Sequence, residues 1–332
     1  MTDGSSRRQV QPDPTKGVKP RSTFRRKLDK RYRRTRAFVR DALYPVYKAL
    51  GIRSVLAPVI PGYRQVTKSP GGVALVGNLR GVPTDSPIIG LIGDYGSGKT
   101  PSYEVRDMVV AEGAQAIVTL GDNVYTEIGY QVLVGNVYGD YIQEGAFFPA
   151  TGNHDYSEGR GIALFDRYFS FLEKNRWYSV TLGPIEFFLL DSQQALTHPD
   201  VMAAQIEWLE AAARRSTAPF RVVVVHHPPH SARNRSQLEF RLPYRDWGIQ
   251  LVLSGHDHTL QHLEVDGVHY VVNGVGGGSL HYFDEILEGT VYRLDNHFGA
   301  AFVQPHGSTL DVWLSTVDHG EVHRFQIDGH SA

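Results

Sequence analysis

Residues 116–125, AIVTLGDNVY, decide the fold that this sequence encodes. The run from Ala116 to Leu120 is apolar apart from Thr119 and has the length of a strand. Gly121 and Asp122 follow directly, and Tyr125 comes three residues after the acid. The stretch therefore predicts a buried strand that ends in a turn carrying polar side chains.

Four other apolar runs of strand length are followed within a few residues by a side chain with an oxygen or imidazole donor. They are Ile88 to Ile92 before Asp94, Phe147 to Ala150 before Asn153 and His154, Val222 to Val225 before His226, and Leu251 to Leu253 before His256 and His258. Ligands of open α/β sheets bind beyond the carboxyl ends of strands, so we expect these segments to meet in one crevice. A glycine beside each donor is expected to let the backbone turn sharply there.

Helical segments are predicted between the strands. Amphipathic patterns occur near Tyr103 to Glu112, Leu164 to Lys174 and Ala203 to Arg214, and two further strand-length runs are Phe187 to Leu190 and Tyr270 to Val272. Strands and helices alternate up to about residue 255, and mostly strands follow. This order predicts an α/β domain.

The donor side chains are sufficient for two metal ions. Seven of them offer suitable atoms: Asp94, Asp122, Tyr125, Asn153, His226, His256 and His258. If one carboxylate bridges the ions, each ion has four protein donors, and two ions about 3.5–4 Å apart can hold the attacking and leaving oxygens of an in-line displacement. A trivalent and a divalent ion with two carboxylates, a phenolate and a bridging hydroxide leave a net charge of about +1, which attracts a dianionic phosphate ester.

In their order and spacing the five motifs resemble the calcineurin-like metallophosphoesterases, and within them the purple acid phosphatases of the tartrate-resistant type. The resemblance covers roughly residues 88–277. Two residues select the subgroup: Gly96 stands where most of the superfamily has a metal-binding histidine, and Tyr125 matches an iron-binding tyrosinate. The resemblance implies a four-layer α/β/β/α sandwich of two mixed sheets, with a dimetal site at the carboxyl ends of the strands.

The resemblance also implies an activity and a role for each donor. It implies hydrolysis of phosphomonoesters, in which a metal-bound hydroxide attacks phosphorus; the alternative is a phosphodiesterase acting on nucleotides or lipid head groups. The implied assignments are Asp94, Tyr125 and His258 to Fe(III), Asn153, His226 and His256 to a divalent Fe, Zn or Mn ion, Asp122 to the bridge, and His154 to polarising the phosphate.

The sequence departs from the family pattern at the leaving-group acid. Tartrate-resistant enzymes carry a further histidine several residues after the His-x-Pro motif, whereas here His230 follows the prolines at once and Arg233 and Arg235 come next. The choice among these three stays open. Nine further histidines are expected to be scattered, mostly surface residues: His227, His262, His269, His281, His297, His306, His319, His323 and His330.

A P-loop NTPase is an alternative of another class. Residues 93–100, GDYGSGKT, fit the pattern G-x4-G-K-T after a strand, and Asp122 can stand for its magnesium-binding aspartate. Pro101 is tolerated at a helix start. That interpretation leaves the Gly-Asn-His-Asp and Gly-His-Asp-His motifs unexplained, whereas the dimetal interpretation accounts for all five and makes Lys99 a surface residue.

Composition excludes several classes of protein. The chain has 332 residues and no cysteine, with 41% hydrophobic residues, so it can bury a sizeable core but has no disulfides, thiolate metal sites or thiol nucleophile. No run approaches the ~18 apolar residues of a membrane span, and no signal peptide is evident, so we expect a cytoplasmic protein.

The amino-terminal segment differs in charge from the rest of the chain. Residues 1–48 carry 15 Lys and Arg against four acids, a net charge of +11, whereas the remaining 284 residues have a net charge of −12. We predict a basic arm at 1–68, comprising a disordered lead-in and an amphipathic helix, and a metallophosphoesterase domain at 69–332. The arm either binds an anionic membrane surface or nucleic acid, or docks on its own domain; this binding role alone, without catalysis, is a further alternative function. The oligomeric state cannot be read from the sequence.

Overall fold

Two mixed β-sheets packed face to face form the framework of the protein. The computed structural model describes residues 64–69, 72–81, 85–157, 161–233 and 235–330. Its strands are β1 (Arg64–Ser69), β2 (Gly72–Val76), β3 (Ile89–Ile92), β4 (Ala116–Thr119), β5 (Phe147–Phe148), β6 (Tyr178–Leu182), β7 (Ile185–Leu189), β8 (Phe220–Val224), β9 (Leu251–Ser254), β10 (Leu260–Val265), β11 (Val268–Asn273), β12 (Thr290–Leu294), β13 (Gly299–His306), β14 (Thr309–Thr316) and β15 (Gly320–Asp328).

The larger sheet of the described residues has the order β1-β2-β6-β7-β8-β9-β11-β10-β12, and the smaller one has the order β15-β14-β13-β3-β4-β5. Strands β3, β4 and β5 are parallel, as are β7, β8, β9 and β11. Antiparallel strands flank both parallel sets. The parallel strands end on the same side within each sheet, which is where the motif residues follow.

Consecutive residues of β8 explain why the run from Val222 to Val225 is apolar throughout. Val222 and Val224 are buried in the core that joins the two sheets, whereas Val223 and Val225 are buried on the opposite face of the larger sheet. Successive side chains of a strand point to opposite faces, so a central strand covered on both sides needs apolar residues at every position.

α-Helices pack against the sheets or lie at the ends of their strands. They are α1 (Thr100–Ala111), α2 (Asn136–Gln143), α3 (Asn153–Ser157), α4 (Ile162–Tyr168), α5 (Ser192–Thr197) and α6 (Pro199–Arg215). Trp208 and Leu209 of α6 pack with Phe188 and Val223 on the larger sheet. Val105 and Val109 of α1 belong to the other core, with the residues of β3 and β4. The sequence-based prediction of an α/β sandwich with two mixed sheets is confirmed.

The predicted elements recur with small shifts, and one region differs. Strand β1, at the predicted end of the basic arm, pairs antiparallel with β2. Arg64 to Lys68 of strand β1 fall in the predicted arm and Ser69 in the predicted domain, and β1 is the edge strand of the larger sheet, next to β2. The predicted amphipathic helix of the basic arm lies outside the described residues. Among the described residues, no helix has the length and apolar character that crossing a bilayer requires.

Candidate metal centre

The five motifs meet where the carboxyl ends of strands from both sheets come together. Asp94 follows β3 and Asp122 follows β4 in the smaller sheet, whereas His226 follows β8 and His256 follows β9 in the larger one. The backbone links them directly, because the N–H of Asp94 donates to the carbonyl of Gly121 and the N–H of His256 donates to Oδ2 of Asp94. Residues distant in sequence therefore share one small site.

Three of the predicted donor residues have left-handed backbone conformations. The φ angles are 56° at Asp94, 52° at Asp122 and 64° at His256. Such values are uncommon for residues other than glycine and occur at sites where the surrounding structure enforces them. The turn after each strand thus aims the donor side chain back toward the strand ends.

The glycines next to the donors have the expected turn-forming role at one position and a different role at two others. Gly121 has a positive φ of 96°, but at Gly152 and Gly255 the requirement is close approach. A Cβ atom at Gly255 would lie 2.4 Å from Oδ2 of Asp94, and one at Gly152 would lie 2.3 Å from the backbone nitrogen of Asp122. These glycines allow the motif loops to pack against one another.

Asp94, Tyr125 and His258 form a triangle of donor atoms. The phenol oxygen of Tyr125 lies 3.1 Å from Oδ1 of Asp94 and 3.0 Å from Nε2 of His258, and the latter two atoms are 3.1 Å apart. Adjacent ligands at about 2.1 Å from an octahedral ion are separated by about 3 Å. The three atoms are therefore spaced as one face of a metal coordination shell.

A second group of donors surrounds the side-chain amide of Asn153. Its Oδ1 lies 3.1 Å from Nε2 of His226 and 2.9 Å from Nδ1 of His256. These separations again suit ligands of one ion. The structure thus brings together the two sets of three residues that were grouped from the sequence.

Asp122 lies between the two groups. Its Oδ1 is 3.4 Å from Nε2 of His226, and its carboxylate also lies within 4.8 Å of a carboxylate oxygen of Asp94 in the other group. The backbone N–H of His154 donates to the same Oδ1 at 2.9 Å. A carboxylate with one member of each group close by is in the position that a bridging ligand needs.

Burial makes ionisation of these side chains unfavourable in the absence of a cation. Burial and the charges of Asp94 and Asp155 raise the pKa of Asp122 well above its usual value. Burial and the charges of Asp94 and Asp122 likewise raise the pKa of the Tyr125 phenol. Two buried carboxylates and a phenol next to them are expected to hold a highly charged cation, which stabilises their ionised forms. The donor set therefore fits a metal centre.

Further contacts fix the orientation of the histidines. Nδ1 of His226 donates to the carbonyl of Leu120 at 2.8 Å, and Nδ1 of His258 donates to the carbonyl of Ser279. Each imidazole then presents its Nε2 lone pair to the site. Hydrogen bonds of this kind set the tautomer of metal-binding histidines and restrain the ring.

His154 lies at the mouth of the site rather than within either group. Its side chain is 35% exposed, its ring centroid is 4.4 Å from that of Tyr125, and its Nε2 is 4.0 Å from Oδ2 of Asp122. It is therefore beside the candidate ligands and accessible to a substrate.

The three leaving-group candidates have different surroundings. His230 packs against Tyr270 with ring centroids 4.6 Å apart, and burial followed by the charge of Arg241 lowers its pKa to about 4. Arg233 donates to buried Asp257. Arg235 is exposed. Burial of His256, together with the charges of His226 and Arg235, lowers the pKa of His256 to about 3. Of the three, Arg235 therefore acts electrostatically on a candidate ligand.

The loop after β3 is not built like a P-loop. The N–H of Gly96 donates to the carbonyl of Asp122, and that of Ser97 donates to the carbonyl of Tyr95. A P-loop uses its backbone N–H groups to hold phosphates, so these amides are already occupied. Lys99 is exposed at the start of α1. As the dimetal interpretation predicts, the loop places Asp94 in the site and Lys99 on the surface.

Two histidines that were expected to be scattered adjoin the site. The ring of His227 lies 4.4 Å from that of His256, and its Nδ1 is hydrogen-bonded to Ser192. His281 stacks on His258. The position of His227 beside His226 is a signal in the sequence, but His281 is 23 residues from His258, and no local pattern joins them.

The sequence model of the calcineurin-like phosphoesterase family matches residues 88–260, which contain all of the motif residues described above. The chain belongs to this family. It is therefore a metallophosphoesterase, an enzyme of a dimetal-dependent family that hydrolyses phosphoric esters. The matched segment runs from the start of β3 to the start of β10, so it includes the carboxyl ends of the strands in both sheets.

Curated relatives of this metallophosphoesterase are purple acid phosphatases. It is 26% identical over 235 residues to human tartrate-resistant acid phosphatase type 5, covering 56% of this chain and 71% of that protein. It is 23% identical over 228 residues to purple acid phosphatase 17 of Arabidopsis thaliana, covering 56% of this chain and 67% of that protein. These relatives agree with the resemblance seen in the motifs.

Solved structures share the fold at low sequence identity. Purple acid phosphatase PPD1 from yellow lupin (Lupinus luteus) matches with a TM-score of 0.60 and 16% identity over 77% of this chain and 56% of that one. GAP50, the anchor in the inner membrane complex of Plasmodium, matches with a TM-score of 0.62 and 16% identity over 74% of this chain and 90% of that one. The fold of this metallophosphoesterase therefore occurs both in an acid phosphatase and in a protein described as an anchor.

Proposed function

We propose that this metallophosphoesterase hydrolyses phosphomonoesters at a centre of one Fe(III) and one divalent Fe, Zn or Mn ion. The observation that supports this proposal is the position of Asp122 between two groups of three donor atoms. In the proposal, Asp94, Tyr125 and His258 hold the trivalent ion, and Asn153, His226 and His256 hold the divalent one.

The choice of a trivalent ion rests on Tyr125. Burial and two nearby carboxylates raise the pKa of this phenol, so its ionisation costs more here than in water. A trivalent ion offsets that cost better than a divalent one because its charge is larger. The phenol and the carboxylate of Asp94 are hard oxygen donors, which also favour Fe(III).

The protein residues position the ester and stabilise the charge that develops on it. When bound, a pair of ions supplies a nucleophilic oxygen and polarises the phosphoryl group. The exposed edge of the His154 imidazole donates a hydrogen bond to a phosphate oxygen, and this bond strengthens as negative charge develops. The backbone N–H of His154 holds Asp122, so the same residue links the substrate position to the bridging carboxylate.

Steady-state hydrolysis of a monoester and a diester with the same leaving group tests this proposal. We expect the metal-loaded protein to hydrolyse the monoester with the higher kcat/KM, and Asp122→Asn to lose most of that activity. Lys99→Ala is the matched control, because Lys99 is exposed on the loop that carries Asp94. Its turnover should stay within about threefold of the wild type, since a change of that size corresponds to less than 1 kcal/mol.

Two outcomes of this assay contradict the proposal. A higher kcat/KM for the diester would assign the site to phosphodiester hydrolysis, with nucleotides or lipid head groups as the substrates to examine next. Loss of an ATPase activity in Lys99→Ala would reinstate the P-loop interpretation.

The basic arm is proposed as an electrostatic anchor on anionic membrane lipids. Its support is the net charge of +11 in residues 1–48 together with their amphipathic pattern. The acidic remainder of the chain is repelled by the same surface, so attraction is confined to the arm. Peripheral attachment at a cytoplasmic membrane surface would follow. Nucleic acid is the alternative polyanionic partner of the arm.

A further inference from the structure

A second group of metal-binding side chains lies outside the centre described above. His297 follows β12, whereas Asp318 and His319 lie in the turn between β14 and β15. Nδ1 of His297 is 2.8 Å from Oδ2 of Asp318, and Nε2 of His319 is 3.4 Å from the same oxygen. The three donor atoms all lie within 4.8 Å of one another. None of these residues belongs to the motifs of the phosphoesterase site.

The backbone holds the two loops in register. Gly299 pairs with Thr316 at the ends of β13 and β14, and the N–H of Val317 donates to the carbonyl of Phe298 at 2.9 Å. The N–H of His319 donates to the hydroxyl of Thr316 at 3.3 Å, which closes the turn. The positions of all three side chains therefore follow from a hairpin whose strands are paired in the smaller sheet.

From these observations we propose that His297, Asp318 and His319 form a separate site for a divalent zinc-type ion at the surface. Ligands at 2.0–2.1 Å from a tetrahedral ion are separated by about 3.4 Å. The distance between His319 and Asp318 already has this value, and the shorter distance from His297 to Asp318 opens by about half an ångström when an ion replaces the hydrogen bond. Water completes the coordination shell on the exposed side.

The chemistry of the donors selects the class of ion. Two imidazoles and one carboxylate suit Zn²⁺ and its transition-metal neighbours, whereas Mg²⁺ and Ca²⁺ prefer oxygen ligands. Burial opposes the ionisation of Asp318, but hydrogen bonds from His297 and neighbouring groups outweigh this effect and lower the pKa of its carboxyl group below the usual value. The proton of a neutral imidazole can move to its other nitrogen, which frees Nδ1 of His297 for the ion.

The site lies at the same end of the smaller sheet as Asp94. Strand β13 runs antiparallel to β3 with Ala301 opposite Leu91, so the start of β13 adjoins the end of β3. The N–H of Gly299 also donates to the carbonyl of Val275, and the adjacent Gly276 donates to Gly93, directly before Asp94. The surface site and the phosphoesterase centre are thus joined through a short stretch of hydrogen-bonded backbone.

Zinc titration with a competing chromophoric chelator tests the proposal. The wild type is compared with His297→Gln, His319→Gln and Asp318→Asn. His306→Gln is the matched control. Nε2 of exposed His306 lies 3.9 Å from Oδ2 of Asp311, but among the described residues these two belong to no group of three metal-binding side chains. Zinc bound at the phosphoesterase centre contributes equally to all five proteins and cancels in the comparison.

We expect the wild type and His306→Gln to bind one more zinc equivalent than the other three variants, or to bind it at least tenfold more tightly. A hundredfold excess of Mg²⁺ should leave that equivalent in place. Thermal unfolding without zinc verifies that each variant is folded. Equal zinc binding by all five proteins, an equal loss in His306→Gln, or displacement by Mg²⁺ would overturn the proposal.

Discussion

The imidazole of His281 lies flat on that of His258, with ring centroids 4.3 Å apart and 4° between the ring planes. The two residues also exchange backbone contacts: the N–H of His258 donates to Nδ1 of His281 at 3.2 Å, and the N–H of His281 donates to the carbonyl of His258 at 3.0 Å. His258 is one of the three candidate ligands around Tyr125. His281 therefore restrains the ring of a candidate metal ligand, although it is not one of the seven predicted donors itself.

Replacement of His281 should weaken metal binding. His281→Ala removes both the stacking and the hydrogen-bond acceptor, and we expect metal affinity or activity to fall by about tenfold, the lower end for residues that support metal ligands. His281→Phe keeps a flat ring on His258 and should have a smaller effect. Metal content after dialysis against a chelator and kcat on a monoester measure this. Unchanged values in the alanine variant would show that His258 needs no such support.

His154→Ala should lose activity while retaining metal. Its side chain is accessible beside Tyr125 and outside both groups of donors, so it can reach a bound phosphate. We expect a loss of roughly 10²–10⁴ in kcat, the range for a group that stabilises charge or transfers a proton in the transition state. Metal analysis of the purified variant is the accompanying control. A variant that loses an ion would identify His154 as a ligand instead.

Tyr125→Phe should remove a visible absorption band from the iron-loaded, oxidised protein. A tyrosinate bound to Fe(III) has a low-energy charge-transfer transition, which the resemblance to purple acid phosphatases implies. The phenylalanine ring keeps the packing against His154 but has no oxygen to bind the ion. A band that persists unchanged in the variant, or that never appears in the iron-replete wild type, would exclude Tyr125 as a ferric ligand.

Deletion of residues 1–48 should separate anchoring from catalysis. We expect kcat on a small soluble ester to stay unchanged, whereas salt-sensitive binding to vesicles with anionic lipids disappears. Vesicles of neutral lipid are the control, and a duplex oligonucleotide tests nucleic acid as the partner. If the truncated protein fails to fold, the helix is part of the core and the anchor proposal is wrong.

A chain of three histidines, with buried His262 between two half-buried ones, should make folding stability depend on pH. Nδ1 of His262 is 2.9 Å from Nε2 of His323, and Nε2 of His262 is 3.0 Å from Nδ1 of His269. Burial, followed by the charges of His269 and His323, lowers the pKa of His262 to about 3. Burial also lowers the pKa values of His269 and His323, although the carboxylates of Glu264 and Glu321 oppose these shifts.

The sign follows from proton uptake by the unfolded chain. An unfolded histidine binds a proton below about pH 6.5, but folded His262 does not until about pH 3, so stability is complete above pH 6.5 and falls as the pH is lowered through that window. Between pH 7.5 and pH 5 we expect His262 to contribute a loss of about 2 kcal/mol. Urea unfolding of the wild type and His262→Gln at both pH values measures it. An equal loss in the two proteins would contradict the prediction.

The sequence alone determined the phosphoesterase motifs and the kind of chemistry they carry. Each motif is local: a short apolar run followed within a few residues by a donor, as in the stretch from Ala116 to Tyr125. Because parallel strands end on the same side of a sheet, the meeting of Asp94 with Asp122, and of His226 with His256, could be predicted from that pattern. The seven predicted donors do lie together in the structure.

Tertiary structure decided the contacts that no local pattern encodes. The stacking of His281 on His258 requires the segment after β11 to return across the site, and the grouping of His297 with Asp318 requires the register of β13 and β14. The pairing of β1 with β2 likewise places β1 at the edge of the larger sheet, beside a strand that pairs with β6 on its other side. Such contacts depend on how distant strands pair, and strand pairing is determined by the packing of the whole core rather than by any one segment.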